Sequence, residues 1–136
     1  YAYIAPPQVQ AKSICWQYFK QACSSIPDVK INESELSVTF PNRAQIKLYS
    51  GESYERMRGL YFDGCVSDED DDIPQSAMNY VILPCLLDYS GWHCSMGTPK
   101  GRGTLYRNVQ RAKTDDSRFC LVLRASTSGI IPKDDL

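Results

Sequence analysis

The chain has 136 residues, of which 43% are hydrophobic and 23% are charged. This length and balance predict a single globular domain and argue against a disordered or collagen-like chain. The longest apolar stretch, residues 80–87, includes Pro84 and is far shorter than the roughly 20 residues that a membrane-spanning helix needs. No signal-peptide pattern is present, and residues 1–5 already have the pattern of a strand. We therefore expect the chain to begin and end within a larger protein.

The net charge of −1 conceals an uneven distribution of charge. Residues 56–99 carry two basic and seven acidic side chains, whereas residues 100–136 carry eight basic and four acidic ones. An acidic centre beside a basic C-terminal third suits a metal or phosphate site next to a surface that binds a polyanion. An acidic loop and a basic amphipathic helix, both facing solvent, would produce the same pattern.

The six cysteines indicate free thiols rather than a zinc site or a disulfide framework. They are separated by 8, 42, 20, 9 and 26 residues, without the short paired spacing of zinc sites, and the only histidine, His93, falls in a predicted strand. Several of the cysteines lie in apolar segments, where cysteine behaves as a small hydrophobic residue. We expect a reduced, intracellular protein.

Along the chain, hydrophobic periodicity predicts strands that alternate with helices. Strands are predicted over residues 1–5, 36–40, 44–49, 60–67, 91–96 and 118–123, and helices over residues 8–23, 74–87 and 104–113, with a short helical turn over residues 50–59. Pro84 is expected to kink or divide the second helix, and residues 125–136 have the pattern of a loop or tail. This order predicts an open α/β sheet with parallel central strands, in which ligands bind outside the carboxyl ends of the strands.

Two chemically suggestive segments follow predicted strands. Asp68 and Glu69 end the apolar strand 60–67, which is the Walker B arrangement of ATPases. In that arrangement the aspartate holds Mg²⁺ beside the phosphates and the glutamate orients the attacking water. The segment Gly97-Thr98-Pro99 follows strand 91–96. An acidic pair after a strand is common, so a solvated acidic turn stays open as an alternative, and the further acids at 70–72 are expected to face solvent.

Spacing excludes two other motifs. A calcium loop that starts at Asp68 needs glycine at its sixth position and glutamate at its twelfth, where this chain has Ile73 and Asn79. A Walker A motif cannot be drawn, because none of the seven lysines follows a glycine. An ATPase therefore requires a phosphate-binding loop upstream of Tyr1.

The order of short motifs resembles the ATPase domain of phage and prophage terminase large subunits, the DNA-packaging motors. The segments that carry the resemblance cover nearly the whole chain and are Tyr3-Ile4-Ala5-Pro6, Gln10-Ala11-Lys12, Pro41-Asn42, Met57-Arg58-Gly59-Leu60, residues 63–69, Leu83-Pro84, residues 88–92 and residues 97–101. Each segment is common, but their combined order and spacing form a fairly specific signal. The resemblance implies a three-layer, P-loop NTPase-like α/β fold with a mainly parallel sheet. It also implies that residues 1–136 are a partial ATPase domain, incomplete at the N-terminus, with the Walker A segment upstream and the C-terminal nuclease domain absent.

The resemblance also implies roles for individual residues. Asp68 matches the aspartate that organises Mg²⁺, and Glu69 matches the catalytic glutamate. Gly97, Thr98 and Pro99 match the coupling motif that links nucleotide state to motion of the DNA grip. Arg58 matches an arginine proposed to act in trans on the ATP of a neighbouring subunit, although an exposed arginine beside a turn glycine is equally compatible with the sequence.

The chain departs from the family pattern at three places. Ser67 stands where an aliphatic residue usually precedes the acidic pair, and we expect it to weaken packing at the end of the strand. Residues 70–72 are more acidic than usual, and Arg43 occupies a turn position where glycine is frequent. None of these departures removes a catalytic group.

The resemblance further implies cofactors and partners. ATP and Mg²⁺ would be the cofactors. Double-stranded DNA, the portal protein, the terminase small subunit and a homo-oligomeric ring on the capsid would be the partners, in the host cytoplasm during virus assembly and without a membrane. Candidate contacts to DNA phosphates are Lys100, Arg102, Arg107, Arg111 and Lys113, for which an ordinary solvated helix face is the alternative.

Two other functions stay open on the sequence: another Walker B ATPase, such as a helicase-like remodeller, or a non-enzymatic nucleic-acid-binding or assembly module. Residues 1–136 alone are expected to be catalytically inactive, because they lack a phosphate-binding loop.

Overall fold

A computed structural model describes residues 1–5 and 9–124 of the chain. Pro6 of the family-like motif and the predicted loop or tail at 125–136 lie outside the described residues, as do the side chains of Gln10, Ala11 and Lys12.

A six-stranded mixed sheet forms the centre of the domain. Its strands are β1 (Ala2–Ala5), β2 (Lys30–Asn32), β3 (Ser37–Thr39), β4 (Gln45–Ser50), β5 (Gly64–Ser67) and β6 (Trp92–Ser95). The strands lie in the order β2-β3-β4-β1-β5-β6. β4, β1, β5 and β6 run parallel, whereas β2 and β3 add an antiparallel edge beside β4. The predicted α/β class with a mainly parallel sheet is confirmed.

Helices cover both faces of this sheet. Helix α1 (Val9–Cys23) packs on one face, where Trp16 is buried against Val38 and Leu48. The 3-10 helix Gly51–Met57 and the helix 75–87 pack on the other face, around the fully buried Ile4 and Ile82. Because side chains alternate along a strand, β1 contributes Ile4 to one layer and Tyr3 to the other. The molecule therefore has the three layers that were expected.

Pro84 changes the hydrogen bonding of the helix 75–87 without ending the helix. The helix consists of α2 (Gln75–Ala77), a π-helical segment (Met78–Ile82) and α3 (Leu83–Leu87). Backbone dihedral angles stay helical at Ile82 and Leu83, immediately before the proline. Proline has no amide hydrogen to donate to the carbonyl four residues earlier, and π-helical segments are one way in which helices absorb such a disruption. The helix is thus divided in its bonding pattern but continuous in its path.

Two strand predictions need correction. Only Gly64–Ser67 of the predicted strand 60–67 is a strand, because the preceding residues form a loop in which the Phe62 N–H donates to the Cys85 carbonyl (2.9 Å). The segment 118–123 is not a strand within the described residues, and its Phe119 and Leu123 are 89% and 76% exposed. A strand requires a neighbouring strand for its backbone hydrogen bonds, and this segment has none among residues 1–5 and 9–124.

β2 was not predicted from the sequence, because its three residues are all exposed and are too few to establish an alternation. The remaining strands and helices agree with the predictions to within a few residues, including α4 (Thr104–Ala112). None of the described helices is both long and apolar enough to cross a membrane.

Candidate functional site

The acidic turn that follows β5 lies at the carboxyl edge of the parallel strands. The Asp68 N–H donates to the Ile4 carbonyl of β1 (3.0 Å), so the turn begins in register with its neighbouring strand. Glu69 then adopts a left-handed conformation, with φ 49° and ψ 52°. This region is uncommon for residues other than glycine, costs on the order of 1–3 kcal/mol, and is concentrated at functional sites. The turn therefore holds Glu69 in a conformation that the local sequence does not favour.

Tyr3 orients the Asp68 carboxylate from the adjacent strand. Its hydroxyl donates to Asp68 Oδ2 (2.8 Å), and the Cys15 thiol in turn donates to the Tyr3 hydroxyl (3.6 Å). Burial, followed by the hydrogen bonds with Cys15 and Asp68, raises the pKa of Tyr3, so the phenol stays protonated and remains a donor at neutral pH. Sequence analysis did not identify Tyr3 as part of the site. The family-like motif contains it, but only the pairing of β1 with β5 shows what it contacts.

The chemistry of Asp68 fits magnesium better than it fits a metal held entirely by protein. Among the described residues, no group of three or more histidine, cysteine, aspartate or glutamate side chains is arranged to hold a metal ion. A cation bound by Asp68 would therefore take most of its ligands from elsewhere. Mg²⁺ is usually bound in this way, by one or two carboxylates together with waters and substrate phosphates.

The structure brings the two predicted motifs into direct contact. Gly97 has a φ of +140°, and a Cβ atom at this position would lie 2.9 Å from Glu69 Cα. The Thr98 N–H donates to Glu69 Oε2 (3.4 Å), and the exposed Pro99 follows. Glycine is therefore required at 97 both for its dihedral angle and for the close approach of Glu69.

The acids that follow Glu69 do not face solvent as a group. Asp70 is 1% exposed. The Asp71 carboxylate accepts backbone N–H groups from Lys100 (2.8 Å) and Leu105 (2.9 Å). Only Asp72 is exposed, and it pairs with Lys100 Nζ (2.6 Å). The expectation of a solvent-facing acidic run is wrong because the turn at Glu69 and the following 3-10 turn Asp70–Asp72 bury the Asp70 side chain beside β6 and direct the Asp71 carboxylate onto the backbone of segment 97–105.

A buried polar cluster lies behind this turn. Ser67 Oγ is 2.9 Å from His93 Nε2, and Asn108 Nδ2 donates to Ser95 Oγ (3.1 Å). Neither carboxylate oxygen of Asp70 has a hydrogen-bond partner among the described residues. Burial raises the pKa of Asp70, and nearby Ser95 and His93 offset this only in part, whereas burial lowers the pKa of His93. The serine that replaces the usual aliphatic residue is thus matched by a polar partner on the next strand.

Arg58 lies on a different part of the molecule, against the helix 75–87. Its guanidinium forms an ion pair with Glu55 and donates to the Tyr80 carbonyl (3.5 Å). That carbonyl is four residues before Pro84, the residue that cannot donate to it. Arg58 therefore helps to satisfy a backbone acceptor that the proline leaves without its usual helical partner.

The five predicted DNA contacts fall into two groups. Lys100 is bound to Asp72, and Arg107 donates to Gln75 Oε1 (3.0 Å), so both are engaged within the domain. Arg102 and Arg111 lie on the loop and helix that follow residues 97–99, where Lys113 donates only to Gln110 Oε1 of its own helix (3.2 Å), and all five side chains are exposed.

No protein-family model and no curated protein matches this sequence. Solved structures of phage large terminases do match its fold. The ATPase domain of the Thermus phage P74-26 large terminase superposes with a TM-score of 0.61 at 20% identity, over 79% of this chain and 51% of that one. The large terminase of a second, thermophilic bacteriophage superposes with a TM-score of 0.64 at 18% identity, over 98% of this chain and 35% of that one. Another structure of this second terminase, in complex with ADP, gives a TM-score of 0.51 at 18% identity over 69% of this chain and 25% of that one.

The chain thus spans about half the length of the P74-26 domain structure. Its three layers and mainly parallel sheet match those of these terminase structures, and the predicted fold is confirmed. The chain has the fold of the ATPase domain of phage large terminases.

The raised pKa of Asp70 predicts a pH-dependent stability. Because the folded state holds this proton more tightly than the unfolded chain does, the free energy of unfolding falls as the pH rises from about 4 through the folded-state pKa. We expect Asp70→Asn to be more stable than the wild type at pH 7, by about 1 kcal/mol or more, and to lose this advantage near pH 4. Urea unfolding at the two pH values measures the difference. The exposed Asp116→Asn variant is the charge-matched control. An Asp70→Asn variant that is less stable than the wild type at pH 7 would contradict a raised pKa of Asp70.

Proposed function

We propose that residues 1–136 are part of the ATP-hydrolysing motor domain of a terminase large subunit, which translocates double-stranded DNA into a viral procapsid. The observation that carries this proposal is the contact of Glu69, the residue after Asp68, with Gly97 and Thr98 at the carboxyl edge of a terminase-like sheet. The ADP complex of the second phage terminase supports a nucleotide as the ligand. The proposal makes Asp68 and Glu69 the Walker B pair and Gly97, Thr98 and Pro99 the coupling motif.

Each acidic residue then has a chemical task. Asp68, oriented by Tyr3, provides a carboxylate ligand for Mg²⁺. Bound Mg²⁺ would neutralise the charge that develops on the phosphates during transfer. Glu69 orients the attacking water and accepts its proton. The hydrogen bond from the Thr98 N–H to Glu69 Oε2 restricts the rotation of the carboxylate, and through it the proposed coupling motif contacts the proposed catalytic group.

The phosphate-binding loop in this proposal comes from polypeptide outside residues 1–136. Two features of the described residues support this. The outer edge of β6 is unpaired, and Trp92 and Cys94 on one of its faces are exposed. The apolar segment 119–123, which follows α4, is also exposed. An additional strand would pair with the outer edge of β6 and further chain would cover these apolar side chains, and the P74-26 ATPase domain is about twice as long as this chain. A nuclease domain would likewise lie outside residues 1–136.

The same proposal assigns the remaining partners. Double-stranded DNA would contact Arg102, Arg111 and Lys113, and Arg58 would act on the ATP of a neighbouring subunit in a homo-oligomeric ring. The ring would assemble with the portal protein and the terminase small subunit on the capsid, in the host cytoplasm. Arg58 is free to act in trans only if it leaves Glu55, because the two side chains are paired in this structure.

Glu69→Gln tests the catalytic assignment. In a chain extended upstream to include a phosphate-binding loop, we expect this variant to reduce ATP turnover by at least about 10²-fold. Binding of the nucleotide should change little, because the amide keeps the shape of the carboxylate but cannot accept the proton. Steady-state hydrolysis and nucleotide titration measure the two effects, with Asp116→Asn as a control. Full activity of Glu69→Gln, or hydrolysis by residues 1–136 alone, would contradict the proposal.

A mixing experiment tests whether Arg58 acts in trans. Arg58→Ala and Glu69→Gln subunits should each be inactive, with a loss of about 10³-fold for the arginine. A mixture of the two should recover part of the activity, because an intact Glu69 in one subunit meets an intact Arg58 from its neighbour. Recovery fails if Arg58 acts within its own subunit. Arg56→Ala is the control, and thermal unfolding of Arg58→Ala reports any loss of the contact with Tyr80.

The DNA contact is tested by its dependence on salt. Replacing Arg111 and Lys113 by alanine should weaken binding of double-stranded DNA and reduce the slope of log K against log salt concentration by about 2. The matched control replaces the exposed Lys30 and Arg56, which carry the same charge elsewhere on the surface. Fluorescence anisotropy over a salt series measures both slopes. An equal reduction in the two double variants would show that only net charge matters.

A further inference from the structure

Helix α4 is capped by a residue that lies outside it. Its N-cap is Gly103, which has no side chain with which to accept a backbone hydrogen. Asp71 supplies the missing acceptor: its Oδ1 accepts the Leu105 N–H at 2.9 Å. Its Oδ2 accepts the Lys100 N–H at 2.8 Å, in the loop just before the helix. A carboxylate at this end of a helix satisfies unpaired N–H groups and interacts favourably with the helix dipole.

Gly103 makes room for this carboxylate. A Cβ atom at position 103 would lie 2.5 Å from Asp71 Oδ1, a distance that real side chains do not tolerate. The φ of Gly103 is −70°, which any residue can adopt, so the dihedral angle does not explain the glycine. The glycine is instead explained by the space that the Asp71 carboxylate occupies.

Asp71 belongs to the same turn as Glu69. Glu69 contacts Thr98, Asp71 contacts Lys100 and Leu105, and Asp72 pairs with the Lys100 side chain. The pair of Asp72 with Lys100 is exposed, and such pairs contribute little. Of the contacts that Glu69, Asp71 and Asp72 make with segment 97–105, those of Asp71 are therefore the strongest.

The carboxylate of Asp71 remains charged at neutral pH. Burial opposes the charged form, but the backbone N–H groups of Lys100, Leu105 and Thr104, together with the charge of Arg107, hold its pKa below the usual value. The cap is thus a charge-assisted one, stronger than a neutral hydrogen bond.

We propose that Asp71 is the positioning residue through which the turn carrying Glu69 and the N-terminus of α4 move as one body. The inference rests on the proposed function, in which Glu69 acts at the nucleotide and the region of α4 carries basic residues toward DNA. When the nucleotide displaces the turn that holds Glu69, Asp71 moves with that turn. The hydrogen bond from the Leu105 N–H to Asp71 then moves the N-terminus of α4 in the same direction.

Hydrogen exchange tests the cap itself without any nucleotide. Asp71→Ala should reduce the protection of the Leu105 amide by roughly tenfold, whereas Asp71→Asn, which keeps an acceptor oxygen, should reduce it less. Asp72→Ala removes only the exposed ion pair and should leave Leu105 unchanged. Unchanged protection in Asp71→Ala, or an equal loss in Asp72→Ala, would overturn the proposal.

A double-mutant cycle tests the fit between Asp71 and Gly103. Gly103→Ala should strongly reduce protection of α4 when Asp71 is present, because the new methyl group displaces the carboxylate. In the Asp71→Ala background the same substitution should have little further effect. Additive effects of the two substitutions would overturn the proposal.

The role in coupling is tested in the extended, ATP-hydrolysing form. Asp71→Ala should lower the ratio of DNA-stimulated to basal hydrolysis by at least about fivefold. A purely structural role would lower both rates together, and an unchanged ratio would overturn the coupling role. Full activity of Glu69→Gln would overturn the proposed function alone, because the exchange and cycle measurements do not depend on hydrolysis.

Discussion

The parallel pairing of β5 with β1 on one side and β6 on the other is the constraint on which the candidate site depends. The register places Ile4 beside Ser67 and Ser67 beside Ser95, so the three strands end at one edge of the sheet. Backbone hydrogen bonds extend this register past the strands, from Asp68 to Ile4 and from Met96 to Ser67. The side chains that follow each strand therefore meet. Without this register, Tyr3 could not reach Asp68, and Thr98 could not reach Glu69.

The site lowers the stability of the fold in which it lies. Glu69 occupies a left-handed conformation, and Asp70 is buried without a hydrogen-bond partner among the described residues. Both features oppose folding, since strained dihedral angles and unsatisfied buried polar groups each cost free energy. The apolar layers on the two faces of the sheet offset these costs, through fully buried residues such as Ile4 and Val38. Asp28, Leu36, Arg43 and Ser90 also adopt positive φ in other turns, so the burial of Asp70 is what distinguishes this turn among the described residues.

Arg58 shows how one residue can carry two roles. Its contact with the Tyr80 carbonyl compensates for the missing donor at Pro84, and its ion pair with Glu55 holds the guanidinium against the helix. Both contacts are exposed and therefore weak. An arginine held by weak contacts at the surface can be released when a partner offers a stronger anion, which is compatible with its proposed action on a neighbouring subunit.

Hydrophobic patterning was sufficient to predict β1, β4, β6, α1 and α4, because β1 is a short apolar run that contacts both layers and the others carry apolar residues at strand or helix spacing. It failed for segment 118–123, whose apolar run has no neighbouring strand to pair with among the described residues, and for β2, which is exposed and only three residues long. The motif order placed Asp68, Glu69 and Gly97 at strand ends, and the structure brings them together. It gave no indication that Asp70 is buried or that Asp71 caps α4.

The sequence by itself determined the α/β class, the positions of most strands and helices and which residues end the parallel strands, since these follow from local spacing and composition. Only the tertiary structure decided which of those residues touch. The contacts of Tyr3 with Asp68 and of Asp71 with Leu105 join positions 65 and 34 residues apart. Whether an acidic side chain faces solvent, a backbone amide or a half-buried histidine depends on the register of strands and the path of turns, which no local pattern specifies.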